Sequence, residues 1–246
     1  MKDRNIFLKY FFERISPLKY AVLRFVAPTI QDYNDEDMML LISKSQYKKV
    51  LEAIGASPQI KSVTLIEKPY YGRVQITFND GYNFELNVIT NLVRKGVFIM
   101  DEVEVLRYAV KNELGIKVAS PTYHFEYTLL SHLLNGLSVA DSYKEYFAKY
   151  DREIRSRIFG HIRGRYYLEM NVLDDLYEFN EKYFNKIHDK ILARKENKLR
   201  RRLFRGLNYL PYIFLNLVAK HRIKITFNPN LYPASTIPDG GRARAF

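Results

Sequence analysis

Asn34-Asp35-Glu36-Asp37-Met38-Met39-Leu40-Leu41-Ile42-Ser43 sets three acids directly before an unbroken apolar run. The run has the length and composition of a buried strand. Asp35 and Asp37 are two residues apart, so on a strand they share one face. Two carboxylates at the mouth of a buried strand are a common way to hold a hard divalent cation such as Mg²⁺. The plain alternative is a solvated turn that happens to precede a strand.

The neighbouring stretches supply the rest of a sheet. On the N-terminal side, Tyr20-Ala21-Val22-Leu23-Arg24-Phe25-Val26 reads as a strand that Pro28 ends. On the C-terminal side, Ser43 or Ser45 can cap a helix reaching about residue 54, with Tyr47, Val50, Leu51 and Ile54 on its apolar face. Gly55 and Pro58 close it. Strands are then expected over 61–67, 73–78 and 83–90. In the second of these, Val74, Ile76 and Phe78 alternate with Arg73, Gln75 and Thr77, which is a half-buried pattern. Asn79-Asp80-Gly81-Tyr82 marks a hairpin, because Asp-Gly suits a tight turn with positive φ. The returning arm puts Glu85 and Asn87 on one face, opposite Phe84, Leu86 and Val88. Glu85 can bind a hard cation directly, whereas Asn87 offers only a neutral carbonyl. The plain reading of both is the wet face of a hairpin.

Further out, residues 1–15 form an amphipathic helix with Ile6, Phe7, Tyr10, Phe11 and Ile15 at helical spacing. A short strand is expected over 96–100, and Asp101 caps a helix to about residue 110. From Pro121 onward the pattern is helical only. Helices are expected over 122–137 and 140–150, over a basic stretch 151–165 interrupted by Gly160 and Gly164, and as one long helix over 172–203. A strand follows over 223–227, then a tail rich in Pro and Gly. The fold class is α+β: a mixed sheet with helices, followed by a helical C-terminal region. The expected divisions are 1–120, 121–220 and 221–246.

With no cysteine among 246 residues, disulfides and thiolate metal sites are excluded. No apolar run approaches the roughly 18 residues of a membrane span. A cytoplasmic location is the expectation. The formal charge is +12, and it is concentrated. Between Lys186 and Lys224 twelve lysines and arginines stand against Asp189 and Glu196, which leaves +10 in this segment. It has three readings: a solvated helix face, contact of residues 198–224 with an anionic membrane surface, and nucleic-acid binding. The last is the least supported, since no nucleic-acid motif accompanies the charge. The five histidines are scattered; His124 and His132 lie eight apart on one helix and read as packing or surface residues. No nucleophile elbow or Gly-rich dinucleotide loop is present, so hydrolase and dehydrogenase readings lack support.

Tyr20-Ala21-Val22-Leu23-Arg24 followed by Asp35-Glu36-Asp37 and an aliphatic run resembles the opening of nucleotidyltransferase-fold proteins. More narrowly, it is similar to nucleotidyltransferases found with bacterial surface-polysaccharide genes. The Asp80-Gly81 hairpin, Arg94-Lys95-Gly96-Val97-Phe98-Ile99 and the Pro121-led helix follow in that group's order. The resemblance covers about residues 18–150. It implies Mg²⁺- or Mn²⁺-assisted transfer of a nucleotidyl group from a nucleoside triphosphate to a hydroxyl or phosphate acceptor. It assigns the metal and the catalysis to Asp35 and Asp37; its third Asp falls at Asn87, and Glu85 is the candidate that substitutes as third carboxylate. Arg24, Arg94 and Lys95 are its phosphate-contacting candidates; their plain reading is surface charge. The chain departs from the family where Arg24–Pro28 replaces a Gly-Ser or Gly-Gly pair, where Glu36 replaces an apolar residue, and where Asn87 stands for the third Asp. A degenerate, non-enzymatic member serving as a membrane-surface or protein-interaction module is the competing expectation.

Overall fold

The computed structural model describes residues 2–25, 29–30, 37–68, 70–94, 97–135, 137–169, 181–197 and 223–227. The described chain is α+β and falls into two units. The first takes in Met1–Asn91, Glu102–Val118 and Ala219–Phe246, the second Leu92–Asp101 and Ala119–Val218.

The first unit opens with α1 (Lys2–Ile15), β1 (Tyr20–Val22) and β2 (Asp37–Ile42). A 3₁₀ turn, Lys44–Gln46, leads into α2 (Tyr47–Gly55), followed by β3 (Ile60–Lys68), β4 (Tyr71–Phe78) and β5 (Asn83–Ile89). β6 (Val93–Arg94) and β7 (Val97–Phe98) belong to the second unit. The chain then returns with α3 (Glu102–Arg107), β8 (Val110–Lys111) and β9 (Lys117–Val118), and much later with β10 (Ile223–Phe227). These strands form one mixed sheet in the order β10-β3-β4-β5-β2-β1-β9-β8. Among the described strands, only β2–β5 and β1–β9 pair in parallel.

One face of the sheet makes the core. Met38, Leu40 and Ile42 of β2, Val74, Ile76 and Phe78 of β4 and Phe84, Leu86 and Val88 of β5 are all buried, as the period of two requires. α1 and α2 cover them. α1 is rotated from the face expected. It buries Phe7, Leu8, Phe11, Phe12 and Ile15, while Ile6 is 41% exposed. The stripe 4-7-8-11-12-15 gains Leu8 and Phe12 over the alternative face, about 1.5–3 kcal/mol for each large apolar side chain buried. Arg4 rides along on this stripe. Asn5 Oδ1 accepts from its Nη2 at 2.8 Å, and its guanidinium stacks over the Tyr82 ring.

Local chemistry fixes the turns. Gly81 has φ +83, and Phe78 N donates to Tyr82 O at 2.9 Å, closing the hairpin expected from Asp80-Gly81. Gly72 lets α2 approach, since a Cβ there would stand 2.0 Å from the Tyr47 hydroxyl. Ser43 precedes the 3₁₀ turn but makes no side-chain cap; its hydroxyl meets that of Ser45 at 3.1 Å. β1 is shorter than expected, although Leu23 N still donates to Met39 O at 2.9 Å. The helix expected to reach residue 110 stops at Arg107. Asn112 Oδ1 accepts from Leu114 N and Ile116 N, and Gly115 has φ +73, so the chain turns and pairs β8 with β9.

The second unit contains the β6–β7 ribbon, α4 (Pro121–Leu133), α5 (Asp141–Ala148), α6 (Arg152–Tyr166), α7 (Glu181–Leu192) and a 3₁₀ turn, Lys195–Asn197. α6 runs unbroken through Gly160 and Gly164, which cost about 1 kcal/mol each relative to Ala. Asp151 Oδ1 caps it by accepting from Ile154 N at 2.7 Å, and Ile158, Ile162 and Tyr166 are buried along it. The long helix expected over 172–203 ends at Leu192 in its described part. Asn197 explains the break: its side chain bonds Phe98 N, Phe98 O and Ile191 O, which holds the turn against β7. Leu173, Leu176, Phe179 and 198–222 lie outside the described residues. No helix among the described residues is long and apolar enough to cross a membrane.

Candidate functional site

The sheet's other face carries the polar positions. Pairing places Thr64 beside Gln75, Gln75 beside Glu85 and Glu85 beside Asp37, a row across four strands. The hairpin turn sets the β4–β5 register, and the parallel β2–β5 pair brings Asp37 opposite Glu85. Adjacent strands lie about 4.8 Å apart, so the two carboxylates start from neighbouring backbone positions. Beside them lies a cleft of about 560 Å³ lined by Asp37, Glu85, Thr64, Gln75, Thr77 and Asn83, with Ile76 and Phe84.

Each carboxylate has a cation beside it. Arg24 Nη2 stands 3.6 Å from Asp37 Oδ2, and Arg73 Nε stands 3.3 Å from Glu85 Oε1. Asn87, itself buried, donates from Nδ2 to Glu85 Oε1 at 2.9 Å. The Arg73 Nε is buried yet makes no aligned hydrogen bond. Pairs as exposed as these are worth at most about 1 kcal/mol. Either guanidinium can therefore exchange its carboxylate for a phosphate oxygen at little cost, and a divalent cation competes easily for the carboxylates.

Of the residues singled out from sequence, Asp37, Glu85 and Arg24 come together. Asp35 and Lys95 lie outside the described residues. Arg94 is on β6 of the second unit, and its side chain also lies outside them. Among the described residues no group of three His, Cys, Asp or Glu side chains converges on a point. Arg73 was missed. Counting back from the Asp80-Gly81 turn pairs it with Asn87, one row along from Glu85, and so places it at the site.

A second polar cluster sits inside the second unit. Glu126 of α4 is wholly buried. His161 Nε2 lies 2.8 Å from its Oε2, Arg165 Nε lies 3.2 Å from Oε1, and the Tyr166 hydroxyl donates to Oε1 at 2.5 Å. Arg194 donates to the carbonyl of Ile99 and approaches the Tyr166 oxygen at 3.5 Å. This arrangement ties α4 to α6 through a wholly buried carboxylate, so it reads as framework. His132 Nδ1 lies 2.8 Å from Thr128 O on its own helix, and His124 packs among Tyr143, Tyr146 and Phe147.

Fold and site together define an α+β protein with paired carboxylates and paired arginines on the polar face of its sheet. No protein-family model matches the chain, and neither the curated proteins nor the solved structures give a match.

Proposed function

We propose that the chain is a nucleotidyltransferase-fold enzyme that moves a nucleotidyl group from a nucleoside triphosphate to an acceptor. The observation that carries this reading is the Asp37–Glu85 pair, facing across parallel strands beside a cleft. Asp37 and Glu85 are hard oxygen donors, which suits Mg²⁺ or Mn²⁺, and Asp35, two residues before Asp37 in the sequence, is the third ligand of this reading. Such an ion, when bound, neutralises phosphate charge and favours in-line displacement. Arg24 and Arg73 hold the phosphates. In the transfer, an acceptor oxygen forms a bond to the α-phosphorus and the bond to the β-phosphate bridging oxygen breaks. Pyrophosphate leaves, and the acceptor's proton passes to solvent. The test is titration of the wild type, Asp35→Ala and Asp37→Ala with Mn²⁺ and a nucleoside triphosphate. Binding by the wild type that both variants weaken is expected; no binding, or equal binding by all three, would sink the reading.

A second reading has its own observation. Glu85 is already engaged by Arg73 and Asn87, and Asn87 occupies a position where a third acid would serve the chemistry. A degenerate member of the fold would keep such a self-neutralised site and act through the basic segment 198–224 on an anionic membrane surface. Co-sedimentation with phosphatidylserine vesicles tests it. Deleting 198–224 is expected to abolish pelleting, and undiminished pelleting removes the lipid reading.

A further inference from the structure

The cleft is chemically lopsided. Crossing the sheet from β1 to β3, the side chains run Arg24, Asp37, Glu85, Gln75, Thr64, with Thr77 and Asn83 in the adjoining row. The cations stand at Arg24 and Arg73, close against the carboxylates. Beyond Glu85 the described residues that line the cleft carry no charge: Thr64, Gln75, Thr77 and Asn83 are all neutral. A phosphate-rich substrate is held at the arginine side. It gains nothing from the neutral side, where no cation offsets the cost of desolvating it.

The neutral side is equipped for hydroxyl groups. The Thr77 hydroxyl donates to Asn83 Oδ1 at 2.8 Å, which fixes that amide and leaves its NH₂ as the donor end. The Gln75 side chain makes no hydrogen bond among the described residues, so both its donor and its acceptor are available to a ligand. A hydroxyl needs such a mixed donor and acceptor set, because it both gives and receives. The row also has the reach of one sugar ring. Gln75 lies two strand spacings from Asp37, about 10 Å, and the cleft of about 560 Å³ is of small-ligand size.

We infer that the Thr64–Gln75–Thr77–Asn83 end of the cleft is an acceptor subsite for a neutral, hydroxyl-rich group such as a sugar ring. This rests on the nucleotidyl-transfer reading and narrows its acceptor from hydroxyl or phosphate to hydroxyl. The attacking group is then an alcohol oxygen: its O–H proton leaves to solvent, the new O–P bond forms at the α-phosphorus, and pyrophosphate departs.

Saturation-transfer NMR on the full chain tests this. The neutral arm is a panel of methyl hexopyranosides, and the anionic arms are hexose 6-phosphates and a short oligoribonucleotide. Saturation of at least one glycoside is expected, with the anionic probes no better. Gln75→Leu and Asn83→Leu, at exposed sheet positions that tolerate change, are each expected to weaken that signal about fivefold, the worth of one neutral hydrogen bond. Asp37→Asn is expected to leave the glycoside signal while weakening Mn²⁺ binding, so failure of the subsite and failure of the metal reading give different patterns. No glycoside signal, a signal indifferent to both leucine variants, or preference for an anionic probe overturns the inference.

Discussion

Glu126→Ala is expected to destabilise the second unit by about 3–5 kcal/mol, the cost of removing one partner from a buried ion pair. The wild-type carboxylate is wholly buried and takes contacts from His161, Arg165 and Tyr166. Alanine removes the acceptor of the Tyr166 hydroxyl and the buried carboxylate beside the Arg165 guanidinium. Glu126→Gln keeps the shape and one acceptor oxygen, so its cost is expected nearer about 1–3 kcal/mol. Denaturant unfolding followed by near-ultraviolet tyrosine signals distinguishes the two, since Tyr166 sits in the cluster. Equal stability of all three proteins contradicts the assignment of this cluster as framework. The pH dependence has a definite sign. Burial pushes the Glu126 carboxyl up, but the His161 hydrogen bond, the Arg165 and His161 charges and the Tyr166 hydrogen bond together hold it below the ordinary value of 4.5. A carboxyl depressed in the folded state stabilises fully above the unfolded value and loses that contribution as pH falls through the folded one. The gap between wild type and Glu126→Gln is therefore expected to close as pH falls through the acid range below 4.5. Tyr166 stays a donor throughout, because burial and then the Glu126 charge push its hydroxyl well up.

How far the sequence discloses this molecule depends on the range of each interaction. The β4–β5 hairpin was legible because its turn and its alternation are local, and its register follows by counting outward from Asp80-Gly81. The same counting gives Arg73 and Gln75 their places, although only Glu85 and Asn87 were singled out. The Asp37–Glu85 pairing was not legible as a register. β2 and β5 run parallel with α2, β3 and β4 between them in the chain, and no local pattern fixes which residue of one meets which of the other. The return of β10 to the edge of β3 lies further still from local reading, more than 150 residues on. α6 shows propensity overruled: two glycines suggested interruption, but the Asp151 cap and three inward side chains outweigh them. The Glu126 cluster had a faint signal. Residues 123–133 are buried nearly all round, and a single acid in such a helix must find partners inside. His161 and Arg165 lie four apart on another helix, which puts them on one side of it.

Under the proposed nucleotidyl-transfer reading, Asp37→Ala is expected to lower transfer by about a thousandfold, since a metal ligand supports several kcal/mol of transition-state charge stabilisation. Lost activity alone says little, because a misplaced side chain could do the same. The informative part is the sign of two binding changes. Removing Asp37 takes one negative charge from the site and leaves Arg24 in place, so Mn²⁺ affinity is expected to fall while affinity for metal-free triphosphate holds or rises. Arg73→Gln should do the reverse. Glu85 loses a competing cation and binds Mn²⁺ more tightly, while triphosphate binds more weakly for want of a guanidinium. Opposite signs at two positions that pair with each other's neighbours are hard to produce by general damage to the sheet. Mn²⁺ titration by electron paramagnetic resonance, with nucleotide titration by calorimetry in the absence of metal, reads both. If Asp37→Ala and Arg73→Gln change Mn²⁺ affinity in the same direction, the arginines are not exchanging places with an ion. The carboxylate row is then what its ion pairs alone make it, a self-neutralised sheet face.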